Sequence, residues 1–236
     1  MDQPAPESVQ GSAPPPVQDF AQARDHMVDG QVRPNKVIDP RVIRAMRSLP
    51  RERFLPPHLS SLAYVDEDVP LPRGRALMEP MVIARLVQLA RVRDGERVLV
   101  VGAGTGYGAA LMAACGGQVT ALEDDEALLA IARTVLPTAA PGVRVQDGPL
   151  PDGLPTGAPW DVVMIEGAVR AIPDTLGAQV RRDGGRLVTV LAQHAGAGHG
   201  VLAEHSGAAG VLRAQAMFDC ATPLLPAFAA RPSFQF

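Results

Sequence analysis

Cysteine is almost absent from this sequence. Cys115 and Cys220 are the only two in 236 residues, and no C-x-x-C pair occurs. That excludes a disulfide framework and suits a reducing compartment. No apolar run approaches the roughly 20 residues needed to span a bilayer. The start, MDQPAPESVQGSAPPPV, lacks the basic-then-apolar order of a signal peptide. Neither sign of charge dominates: 22 basic and 25 acidic residues give a net −3. That removes the bulk electrostatic reason to expect nucleic acid or an anionic membrane as a partner. One local basic run, RVIRAMRSLPRERF from Arg41 to Phe54, reads as the solvated face of a helix. The expectation is a cytoplasmic protein; the oligomeric state is left open.

What the chain does have is apolar content, 47% of its residues, enough for one sizeable domain with a proper core. Residues 1–18, rich in Pro, Gln, Ser and Gly, are expected to form a disordered leader. Residues 19–94 read as a helical extension. Its first helix begins at Asp19 and reaches Gly30 near its end. The second opens on Asp39-Pro40 and carries Val42, Ile43, Met46 and Leu49. Residues 51–79 read as irregular, and a third helix starts near Pro80. From 95 to 236 short apolar runs alternate with helical patterns. RVLVVG, QVTALE, VRVQDG, WDVVMIEG and RLVTVLA are the strands; GYGAALMAAC, DDEALLAIARTVL and AIPDTLGAQVRR are the helices. This predicts an α/β fold: a doubly wound, mostly parallel, seven-stranded Rossmann-like sheet with helices on both faces. HGVLAEH and GVLRAQAMFD would complete it as an antiparallel edge.

In such a sheet, ligands bind beyond the carboxyl ends of the strands, and the first strand-to-helix turn is the favoured place. Here that turn is 102-GAGTGYG-108. Gly102, Gly104 and Gly106 let the backbone approach a ligand closely. A dinucleotide fingerprint would put its third glycine at Tyr107, so the spacing speaks against a nucleotide-dependent oxidoreductase. Glu123 ends the second strand about 20 residues later, where a carboxylate can accept both hydrogen bonds of a ribose diol. Asp147-Gly148, after the third strand, can accept from an adenine amine or simply form a turn. The G-x-G-x-G loop resembles motif I of the class I S-adenosylmethionine methyltransferases.

Three longer stretches carry a more specific resemblance. MVDGQVRPNKVIDPRVIRAMRSLPRERFLPP, AYVDEDVPLPRGRALMEPMVIARL and WDVVMIEGAVRAIPDTLGAQVRRDGGRLV are similar to the protein-L-isoaspartate O-methyltransferase family. The resemblance implies methyl transfer from S-adenosylmethionine to the side-chain carboxylate of L-isoaspartyl residues, a protein repair. It implies that Gly102, Ala103, Gly104, Thr105, Gly106 and Tyr107 hold the cofactor with Glu123, Asp124, Asp147 and Gly148; Glu166 is a further candidate cofactor contact. The partner would be a protein or peptide, or a small-molecule acceptor.

The acceptor loop departs from that family's pattern. Ala76 and Met78 stand where it places hydroxyl residues, and Glu79 precedes Pro80. Glu166 follows the fourth strand where the family carries small neutral residues. If Glu79 and Glu166 shared the acceptor pocket, it would suit an amine or hydroxyl acceptor, with Glu79 the candidate catalytic base. Otherwise Glu79 is a helix cap and Glu166 a loop acid or a cofactor contact. A different acceptor, or cofactor binding without catalysis, are the alternatives to repair. No metal site is expected: the spacing of His194, His199 and His205 fits no zinc pattern. Trp160 reads as an anchor at the start of a strand, with adenine stacking as its alternative. The tail LLPAFAARPSFQF is expected over the sheet edge or the mouth of the site.

Overall fold

The computed structural model describes residues 19–193, 197–206 and 211–229. The leader 1–18, His194 and the tail beyond 229 lie outside them. The first helix, α1 (Phe20–Met27), is capped by the Asp19 carboxylate, which accepts the backbone N–H groups of Ala21 and Gln22. It runs on through a π-helical turn, Val28–Val32, that contains Gly30. Helix α2 (Pro40–Ser48) has Asp39 as its cap and Pro40 in its first turn. Residues 51–79, expected to be irregular, hold 3₁₀ turns and a small antiparallel hairpin of β1 (Val69–Leu71) and β2 (Arg75–Leu77). Arg73 and Gly74 make its bend at φ +55° and +73°. Helix α3 (Pro80–Ala90) follows, burying Val82, Ile83, Leu86 and Val87 but only part of Leu89.

The main sheet alternates with helices as the sequence pattern predicts. Its strands are β3 (Arg97–Val101), β4 (Gln118–Glu123), β5 (Arg144–Asp147), β6 (Val162–Val169) and β7 (Arg186–Ala192). The crossovers are α4 (Tyr107–Ala114), α5 (Glu126–Ala139) and a four-residue α6 (Asp174–Gly177). β8 (Gly198–Ser206) and β9 (Val211–Cys220) close it as a long antiparallel hairpin. The order is β5-β4-β3-β6-β7-β8-β9, parallel through β7.

Alternation along the central strands splits the core in two. Val98, Val100, Val162 and Met164 pack with α1 to α5. Leu99, Val101, Val163 and Ile165 pack with Trp160, Leu176, Leu150 and Leu225 on the other face. That second face is covered mainly by short helical turns, because α6 ends after one turn at Gly177. Trp160 is 1% exposed and its indole N–H donates to the Leu154 carbonyl, which makes it the anchor of β6. Residues of the helical extension and of the sheet domain belong to one continuous cluster. The order in which strands are added reverses between the parallel neighbours β3 and β6, and the crevice at their carboxyl ends is the switch point.

Candidate functional site

The glycine loop leaves β3 at this switch point. Gly102, Gly104 and Gly106 have φ of +70°, +57° and +96°, the left-handed region that favours glycine. The N–H groups of Gly102 and Ala103 both donate to the Leu122 carbonyl, which folds the loop back over β4. A Cβ on Gly104 would meet open space, whereas one on Gly106 would press on Leu136 at 2.8 Å. Thr105 is buried and its hydroxyl has no hydrogen-bond partner among the described residues. An orphaned buried hydroxyl in a bent glycine loop is what a polar ligand would satisfy.

Glu123 sits at the end of β4, 1% exposed, with its carboxylate under the loop. Gly104 donates its N–H at 2.6 Å, and Asp124 and Asp125 donate theirs at 3.0 Å. Its main partner is one the sequence did not suggest. Arg75, from β2, makes a bidentate pair with it, Nη1 to Oε1 at 2.6 Å and Nη2 to Oε2 at 2.7 Å. Both side chains are buried. Burial works against the guanidinium charge, but the Glu123 hydrogen bonds and charge outweigh it and hold the Arg75 pKa above its ordinary value. Asp125, not Glu123, caps α5, accepting from Ala127 and Leu128. Asp124 is exposed 3.8 Å from Arg75; partial burial and its neighbour Glu123 raise its pKa. Asp147 is exposed in register with Glu123, and the Gly148 N–H donates to the Glu123 carbonyl.

Glu166 lies inside β6, whose pairing with β7 slips between Met164 and Ala168. Such a bulge re-aims side chains beside a site. Glu166 packs over Gly108 at the start of α4, and its Oε2 has no hydrogen-bond partner among the described residues. Burial pushes its pKa up to about 8. The charges of Arg75 and Arg51 and the Gly108 N–H oppose that rise, and Glu123 adds to it. At neutral pH Glu166 therefore carries a proton. With Arg75, Ala76, Met78, Gly167 and Leu225 it lines a void of about 10 Å³.

Glu79 does not share that void. Successive residues of extended backbone point to opposite sides, so with Ala76 and Met78 inward Glu79 turns away. Its N–H donates to Asp68 at 2.7 Å, and its side chain makes no cap bond to α3. Partial burial, then Asp66, Asp68 and Glu67, raise its pKa. The acidic pocket that Glu79 and Glu166 would have formed by facing the acceptor together is thus not made. Tyr107 also points elsewhere: its ring is fully buried against Phe54, at 5.2 Å, beneath the Arg51 guanidinium. Arg51 in turn corrects the solvated reading of its basic run, being fully buried. His199 pairs with Asp219 and His205 lies near the Val180 carbonyl. Among the described residues no His, Cys, Asp or Glu group could hold a metal ion.

The carboxyl-terminal segment covers the site. Ala168 donates its N–H to the Pro223 carbonyl and accepts from that of Leu225. The Leu225 side chain lies where Cβ atoms on Gly102 and Gly167 would stand. The part of the tail that is described therefore packs over the mouth of the crevice.

A switch-point glycine loop above a buried acid, facing a loop borne by an amino-terminal extension, is the arrangement of the Rossmann-like methyltransferases. Residues 22–205 match the model of the protein-L-isoaspartate(D-aspartate) O-methyltransferase family, and the chain belongs to that family. Protein-L-isoaspartate O-methyltransferase 1 of Rhodopseudomonas palustris (strain HaA2) is 38% identical over 186 residues, spanning 77% of this chain and 76% of the relative. The Koribacter versatilis enzyme of the same name is 36% identical over 178 residues, 75% of this chain and 80% of its own. Two solved structures share the fold. One, a protein-L-isoaspartate O-methyltransferase, has TM-score 0.70 and 21% identity over 87% of this chain and 65% of that one. The other, from Plasmodium falciparum in complex with S-adenosyl-L-homocysteine, has TM-score 0.67 and 16% identity over 86% and 98%. Among the described residues no helix is long and apolar enough to cross a membrane.

Proposed function

We infer that the loop 102–107 holds S-adenosylmethionine for methyl transfer to the side-chain carboxylate of L-isoaspartyl residues in proteins, the activity for which the family is named. The supporting observation is the switch-point loop itself, with left-handed glycines and, beside it, the buried atoms Thr105 Oγ1 and Glu166 Oε2, unpartnered among the described residues. These are groups that a polar donor would satisfy. When bound, the sulfonium supplies an already activated methyl group, so an ionised carboxylate needs no general base. The work left to the chain is orientation, which can supply roughly 7–11 kcal/mol.

In this reading Gly102, Ala103, Gly104 and Thr105 face the methionine end, Glu123 the ribose, and Asp147 with Gly148 the adenine. Asp124 rims the ribose side. Glu166, protonated at neutral pH, offers the acceptor or the donor a hydrogen bond from a desolvated position. Neither Glu79 nor Tyr107 has a part in the chemistry. The partner is a damaged protein or peptide.

The deciding experiment is methyl transfer from labelled S-adenosylmethionine to an isoaspartyl peptide, with the aspartyl isomer as control. Transfer to the isoaspartyl peptide alone is expected. A protein that binds S-adenosylhomocysteine but labels neither peptide would sink this reading.

A further inference from the structure

Arg75 and Glu123 join two loops that should serve different substrates. Arg75 stands on β2, which leads into the acceptor loop, and Glu123 ends β4 beneath the donor loop. The pair is more than an ordinary surface bridge. Besides its two bonds to Glu123, Arg75 Nη2 donates to the Gly102 carbonyl at 2.9 Å. Glu123 meanwhile accepts from the N–H groups of Gly104, Asp124 and Asp125. With the two from Arg75, five N–H groups converge on a carboxylate that offers about four lone-pair sites. No acceptor capacity is left on Glu123 for a diol.

The guanidinium is also a partition. On one side lies a pocket of about 210 Å³ lined by Arg73, Asp124, Asp125, Pro226 and Ala227. On the other is the 10 Å³ void between Ala76, Met78 and Glu166, room for about one water. Arg75 lines both. A Cβ on Gly102 would come within 3.4 Å of Nη2, so the arginine lies over the face that the glycine leaves bare.

We propose that Arg75 is a two-position latch: it either closes Glu123 or, once Glu123 is given over to a ribose diol, swings toward Ala76 and Met78, with the acceptor loop moving apart to admit it, and there binds the acceptor carboxylate. This rests on the functional reading above. A buried arginine stripped of its carboxylate is strongly destabilised, so it requires another anion. The isoaspartyl carboxylate is such an anion, and a guanidinium matches it with two parallel N–H bonds. The latch thereby supplies the donors that Ala76 and Met78 lack. It also couples the two substrates: donor binding alone leaves Arg75 unpaired, and the acceptor relieves that. Linkage makes the coupling reciprocal, typically 5- to 150-fold.

The test is calorimetric titration of the full chain with S-adenosylhomocysteine, with and without saturating isoaspartyl peptide. In the wild type the peptide should tighten S-adenosylhomocysteine roughly tenfold, and the aspartyl isomer should not. Arg75→Met should bind S-adenosylhomocysteine more tightly than wild type without peptide, and lose the coupling. Arg75→Lys, which keeps the charge if the Met variant fails to fold, should show the same two changes in weaker form. Weaker S-adenosylhomocysteine binding by folded variants, or coupling that survives in them, overturns the latch. A wild type that binds S-adenosylhomocysteine but neither binds nor methylates the peptide ends the isoaspartyl reading. The donor affinity of Arg75→Met then still decides the gate: tighter keeps it, unchanged or weaker removes it.

Discussion

Arg51 Nη2 donates a 2.6 Å hydrogen bond to the carbonyl of Met78, in the middle of the acceptor loop. Its Nε donates to the Ala63 carbonyl at 2.6 Å, and its guanidinium lies 4.8 Å from the Tyr107 ring centroid. Among the described residues no carboxylate forms an ion pair with it, and burial pulls its pKa below the ordinary arginine value. The arginine therefore acts as a tie between loop backbone and α4. Arg51→Leu should leave two buried carbonyls unpaired, each costing roughly 1–3 kcal/mol in urea unfolding. It should raise KM for the acceptor peptide more than it lowers kcat. Stability equal to wild type would show that the tie does nothing.

Glu166 makes stability depend on pH in a sign that can be worked out. Its folded pKa of about 8 lies above its ordinary 4.5, so between these values the folded state holds a proton that the unfolded chain has released. Stability then falls as pH rises through that window, by up to about 1.4 kcal/mol per unit. Glu166→Gln has no proton to lose. Its stability relative to wild type should climb from pH 4.5 to 8 and level off on either side. Parallel curves for the two proteins would mean that Glu166 is already ionised in the fold.

Asp125 gives a simpler test. Its Oδ1 accepts from both Ala127 and Leu128 at the start of α5. Asp125→Ala should cost about 1 kcal/mol of unfolding free energy, the usual worth of an N-cap. Asp125→Asn, which keeps the accepting oxygen, should recover most of it.

Leu225 covers the bare faces of Gly102 and Gly167 and is 4% exposed. Leu225→Ala should lower stability by roughly 2–5 kcal/mol, the range for a buried leucine. It should also tighten S-adenosylhomocysteine binding, because the cover competes for the glycine face. A loss of affinity would instead make Leu225 part of the wall that the donor contacts.

The order of strands and helices was legible because their periodicities are strong. Val98–Val101 and Val162–Ile165 are apolar on both faces, and Asp19, Asp39 and Pro80 mark where helices begin. The β1–β2 hairpin was hidden because its strands are three residues long and its bend uses a left-handed arginine, not glycine alone. Helix α6 was overestimated because AIPDTLGAQVRR has helical spacing but loses its helix at Gly177. β8 and β9, weak in pattern, are nine and ten residues long because they pair with one another. Within the site the glycine loop and Glu123 were placed by spacing. Arg75 was not, since nothing local tells an arginine that its partner lies 48 residues on. Glu79 misled because the sequence shows an acid beside the acceptor loop but not the side to which it turns.

The place of Leu225 in the chain has a consequence for synthesis. Every strand of the sheet precedes it, and the loop that it covers lies more than a hundred residues earlier. On the ribosome the residues of β3, the glycine turn and β4 are therefore made long before their cover is. The cover of the crevice is therefore made only after every strand that frames it, so exclusion of water from the site waits on an element that is not part of the sheet.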